Sequence, residues 1–204
     1  MKNKILAKYP KSSFATTRSK NIYIADYTQR TKTLPQKRGV EFLDQQPADP
    51  IDPTKEMHYL LVDNPKAVSL ECSIFNDNQF VDKTKHKLKH GECCFFPTKN
   101  DGRSWFSIVE IKDLEKPNNI KNYYEEIREK RDRMFDVFRK DVGITNTIYF
   151  IISFPMGKGQ KERLFNDAIF MDHVELKRKK FVPIVTNHFV ITDIHEIDIK
   201  KTLQ

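Results

Sequence analysis

The sequence predicts an α/β (α+β) domain built on a mixed central sheet, and three stretches carry that prediction. His90 to Leu114 reads HGECCFFPTKNDGRSWFSIVEIKDL, with two short apolar runs, Cys93–Pro97 and Trp105–Ile111, on either side of Lys99-Asn100-Asp101-Gly102-Arg103. Asn, Asp and Gly tolerate left-handed backbone, so the stretch reads as a β-hairpin. Residues 117–141 then place Ile120, Tyr123, Ile127, Met134, Val137 and Phe138 at helical spacing, the stripe of one long packed helix. Thr147 to Phe154, TIYFIISF, is apolar on both faces, as a central strand is. Strand, crossover helix, strand in that order predicts a right-handed unit with the two strands parallel.

The hairpin sets the chemistry. With its loop centred on Asp101, Glu92 lies opposite Glu110, Cys94 opposite Ile108 and Phe96 opposite Phe106. Side chains alternate along a strand, so Glu92, Cys94, Phe96, Phe106, Ile108, Glu110 and Lys112 share one face. Two carboxylates side by side repel. Such a pair calls for a cation to share, and a divalent ion with oxygen ligands, Mg²⁺ or Mn²⁺, suits it.

At these residues the chain resembles the PD-(D/E)XK nuclease superfamily, the restriction-endonuclease-like fold. The likeness rests on an acid, a hairpin and Glu-x-Lys on the strand SIVEIKDL, and it runs from Ala67 to Pro155 in the order strand, strand, strand, helix, strand. It implies Glu92 and Glu110 as magnesium ligands and as part of the catalytic set, with Lys112 the lysine that positions or activates the attacking water. The first acid of the family is usually Asp, and here it is Glu. Asp101 is the other candidate, at the hairpin tip. The family's helix before the first strand is not visible. An E-x-K alone also describes a solvated strand edge, and the flanking order of elements favours the nuclease reading. The implied activity is metal-dependent hydrolysis of phosphodiester bonds in DNA, in restriction or phage defence. The alternatives are an RNA-directed nuclease and an inactive, nuclease-like binding or assembly subunit.

The chain has 204 residues, room for one domain with appendages, and a net charge of +8 that points to an anionic partner. Nucleic acid fits, DNA before RNA. Three cysteines in apolar settings are too few for a disulfide framework, and no apolar run is long enough for a signal peptide or a membrane span. The expected setting is reduced and cytoplasmic. His86, His90, Cys93 and Cys94 match no common zinc spacing, and adjacent cysteines on a strand point to opposite faces.

Residues 1–57 read as a basic, Pro-rich N-terminal arm or linker, with Asn21 to Ala25 a candidate short strand and QQPADPIDP an extended tract. The arm suits nucleic acid, a partner protein, or a partly disordered tail. The α/β domain then spans 58–204. HYLLVD and AVSLECSIF form two strands around Asn64-Pro65-Lys66, and the second offers Glu71 either as a third acid for the site or as a solvent-facing residue. Lys83, Lys85, Lys87 and Lys89 alternate along a stretch that fits a phosphate-tracking stripe and equally a strand edge protected by lysines, two compatible readings.

Lys130 and Arg131 fall in a gap of the helical stripe and read as solvated, with phosphate contact as the other reading. Gly143 stops the helix. Lys158, Lys161 and Arg163 belong to a basic loop and the helix that follows it, and Lys177, Arg178, Lys179 and Lys180 form a compact positive run. These seven are the candidate nucleic-acid contacts. The closing strands are Phe181–Ile184 and Phe189–Ile199.

Overall fold

The computed structural model describes residues 2–9, 14–15, 20–27, 40–48, 58–63, 68–71, 91–97, 105–111, 120–141, 143, 147–153 and 181–191. Among them are helices α1 (Lys2–Lys8) and α2 (Ile120–Asp141) and ten strands. The strands are β1 (Phe14–Ala15), β2 (Asn21–Asp26), β3 (Val40–Leu43), β4 (Tyr59–Asp63) and β5 (Val68–Glu71). They continue as β6 (Cys93–Pro97), β7 (Trp105–Ile111), β8 (Thr147–Ser153), β9 (Phe181–Val185) and β10 (His188–Val190).

The chain is mixed α/β, with two mixed sheets. The first runs in the order β1-β5-β6-β7-β8-β9. Strands β5, β6 and β7 are successively antiparallel, while β7, β8 and β9 run parallel. The expected hairpin forms with its expected ends, and Cys94 pairs with Ile108 as the loop centred on Asp101 requires. The parallel β7-α2-β8 crossover forms as well.

A second sheet, β10-β4-β2-β3, departs from the expected single sheet. The strands around Asn64-Pro65-Lys66 exist, but β4 pairs with β2 in the second sheet while β5 pairs with β6 in the first. A turn signal reports a change of direction, not which strand pairs with which. Inside the segment expected as an arm, β2 and β3 are structural strands, and Ile22 and Ile24 are core residues. The closing strands β9 and β10 belong to different sheets, and the chain crosses from one to the other between them. The Thr186 amide still bonds Ile152 O at 3.0 Å, whereas the Asn187 carbonyl already accepts the Leu61 amide at 2.9 Å.

The two sheets pack face to face, and alternation decides what each strand contributes. Cys93 and Phe95 of β6, Val109 and Ile111 of β7, Ile151 and Ile184 meet Ile22, Ile24, Leu60, Val62, Phe189 and Ile191. The Phe95 and Phe189 rings lie 5.1 Å apart across this seam. Ser153 ties the layers at one end, donating to Tyr59 O at 3.1 Å and lying 3.3 Å from His58 Nε2.

The alternate residues of β6 and β7 face the other way, towards α2. There Phe106 stacks on Phe96 and meets Phe138 of the helix, with ring centroids 6.0 and 4.2 Å apart. The layers are thus helix, sheet, sheet. The helix places Arg139 and Lys140 in its last turn, where cations favour the macrodipole, and Gly143 follows with φ of 68°. A residue other than glycine is strained there.

Phe138 is the ring that seats α2 on the sheet. Phe138→Ala should destabilise the protein by about 3–5 kcal/mol, the usual range for emptying such a site. Urea unfolding followed by circular dichroism should show a lower midpoint at unchanged slope.

Candidate functional site

Glu110 sits at the carboxyl end of β7, beside Ile152 at the same end of β8. Its neighbours Val109 and Ile111 face the second sheet, so Glu110 faces α2, and it is fully buried. A buried carboxylate is costly without an opposite charge and hydrogen bonds. Lys130 supplies both: its Nζ donates to Glu110 Oε1 at 2.7 Å. The same ammonium lies 3.3 Å from Glu126 Oε1, one turn earlier on α2, whose side chain is 39% exposed.

Glu92 is the first residue outside β6. Strand pairing ends at Cys93 with Val109, and the Glu92 amide donates to Val109 O at 2.7 Å. Glu92 itself lies in a bend, outside the paired register. It is half-buried, and its charge reaches Lys130. Burial by itself would lower the Lys130 pKa. The charge and hydrogen bond of Glu110, joined by Glu92 and Glu126, outweigh that and hold the ammonium above its ordinary value. The cation that the acid pair calls for is therefore present within the chain.

Gly91 lets the backbone come this close. A Cβ at this position would stand 2.6 Å from Ile108 Cγ2 and 2.9 Å from Val109 O. The carbonyl belongs to the strand itself and cannot step aside cheaply.

The reading of Lys130 and Arg131 as solvated is corrected. They are 7% and 2% exposed, and the Arg131 Nε–H donates to Asp132 Oδ1 at 2.9 Å. The signal available in the sequence was phase. Lys130 lies three residues after Ile127 and four before Met134, on the stripe itself. Glu71 ends β5, where the backbone register pairs it with Cys94.

Lys112, Asp101, Lys158, Lys161, Arg163, Lys177, Arg178, Lys179 and Lys180 lie outside the described residues, as do the lysines of 83–89 and both histidines weighed for zinc. Cys93 and Cys94 are buried thiols on opposite faces and are not joined in a disulfide. Among the described residues no group of three His, Cys, Asp or Glu side chains is placed to hold a metal. No helix among them is long and apolar enough to cross a membrane. No family model matches the chain, and neither a curated protein nor a solved structure matches it.

The buried pair and the close approach at Gly91 can each be tested by substitution. Glu110→Gln should destabilise the protein by about 3 kcal/mol, because it leaves a buried ammonium without its main counter-charge. In the double variant Glu110→Gln/Lys130→Met most of that loss should return, and denaturant titration of all three proteins measures the coupling. Gly91→Ala should lower the thermal midpoint and weaken the Glu92–Lys130 coupling. That coupling is read by comparing the effect of Glu92→Gln in the wild-type protein with its effect in the Gly91→Ala variant.

Proposed function

We propose that this protein is a divalent-metal-dependent nuclease of restriction-endonuclease-like fold, acting on phosphodiester bonds in DNA. The observation that supports the reading is spatial. Strands β5, β6, β7 and β8 are neighbours in chain order, with α2 as the crossover, and Glu110 stands where the parallel strands end. Ligand sites of open α/β sheets form outside such carboxyl ends.

Carboxylate oxygens are the donors that Mg²⁺ and Mn²⁺ take, so the charges of Glu110 and Glu92 converging on one cation fit the ion. Glu92 and Glu110 would hold it, with Glu71 as a third acid. When bound, the ion polarises a phosphoryl oxygen and lowers the pKa of a bound water. Lys112 would orient that water and offset negative charge in the transition state. Lys158, Lys161, Arg163 and the run from Lys177 to Lys180 would grip phosphates, a sequence-independent contact that weakens with salt.

One observation favours a second reading, an inactive nuclease-like subunit that binds nucleic acid or a partner. Lys130 already neutralises Glu110. A structural ion pair has no need of metal.

Incubation with plasmid DNA and with RNA, each with Mg²⁺ and with EDTA, separates the two. A nuclease cuts DNA only with the ion. Glu92→Gln, at a half-buried position, should reduce cleavage by about two orders of magnitude or more, as loss of an electrostatic catalytic group does. Lys112→Ala should abolish cleavage while calorimetry still records Mn²⁺ uptake. Absence of cleavage on either polymer, together with no heat of metal binding, would leave the inactive subunit.

A further inference from the structure

The ammonium of Lys130 has two acids within reach, and they differ in kind. Glu110 is fully buried, at 2.7 Å, and Glu126 is at 3.3 Å on the same helix with its side chain 39% exposed. A lysine carries its charge on four flexible methylenes, so its head can move a few ångströms while the stem stays packed. A carboxylate oxygen that accepts an ammonium at contact distance offers poorer ligation to a metal. Both cations want the same lone pairs.

We propose that Lys130 is an exchangeable internal counter-cation: a divalent ion entering at Glu110 and Glu92 displaces its ammonium from Glu110 onto Glu126. The inference rests on the metal-binding reading above and adds a regulatory element to it. Lys130 keeps the buried acid compensated when no ion is bound, so the fold does not depend on metal. It also sets a threshold of ion concentration, because uptake must overcome the buried pair. Lys130 and Glu126 are then positioning residues. Glu126 acts only through Lys130.

The test is calorimetric titration of the full chain with Mn²⁺ and with Mg²⁺, beside thermal unfolding at each ion concentration. The proteins are wild type, Lys130→Met, Glu126→Gln and the double variant. Methionine keeps most of the lysine stem's bulk without its charge. Lys130→Met should bind the ion roughly tenfold tighter or more, since an opposite charge at contact shifts ionic equilibria by about one to three decades. Its thermal midpoint should also rise more steeply with the ion than that of wild type, because metal then supplies the missing compensation.

Glu126→Gln should weaken binding several-fold in wild type and much less when Lys130 is already methionine. That non-additivity is the signature of exchange. An equal effect of Glu126→Gln in both backgrounds would mean plain through-space attraction and would overturn the exchange. So would a Lys130→Met protein that binds no tighter than wild type, while the metal site itself would stand. Uptake of no divalent ion by any of the four would remove both the exchange and the metal-dependent reading.

If Lys130→Met does not fold alone, the same titration is read as refolding. The control is Glu110→Gln/Lys130→Met, which is neutral at both positions and should fold without responding to the ion. A folded control beside a single variant that metal does not rescue would overturn the inference.

Discussion

The contact between Glu110 and Lys130 governs how the helix layer meets the first sheet. Both partners are almost wholly removed from water, which makes each charge a liability unless the other is in place. The pair therefore constrains more than its own two side chains. It demands that α2 lie on β7 in one rotation and one axial position, with Phe138 arriving at Phe106 farther along the same seam. A purely apolar interface tolerates sliding by a fraction of a turn, whereas a 2.7 Å hydrogen bond does not. The net stabilisation from such a pair is modest. Its larger effect is on which arrangement the layers adopt.

The first sheet can carry this charge on one face because its other face is so thoroughly apolar. Val109 and Ile111 enter the cluster between the sheets, while Glu110, between them in the chain, points to the helix. A slip of one residue in the hairpin would exchange these roles and bury Glu110 among Ile22, Leu60 and Phe189. Register and electrostatics therefore reinforce one another. The close approach at Gly91 belongs to the same constraint, since it delivers Glu92 to the end of the hairpin where the other charges gather.

A carboxylate at the end of β7 invites a divalent ion, yet the helix delivers a lysine to the same spot. A site can serve as metal centre and as ion pair only if the lysine can leave. The half-exposed Glu126 gives it a destination one turn away. Without that second acid, displacement would strand an ammonium in a dry interface.

What the sequence determined was local. The ends of β6 and β7, their register, the parallel crossover, the strand at Thr147 and the stop at Gly143 all follow from alternation, turn chemistry and helical spacing within short windows. The tertiary structure decided what depends on partners distant in the chain. It assigned β4 and β5 to different sheets, drew β2 and β3 into the second sheet, and sent the chain from one sheet to the other at Thr186 and Asn187. Strand pairing is a choice among similar apolar surfaces, and no short window contains both candidates. Lys130 makes the same point for a single residue. On its helix it reads as a charge in a gap, and only the carboxylate brought against it by the sheet, 20 residues away in sequence, makes burial of that charge favourable.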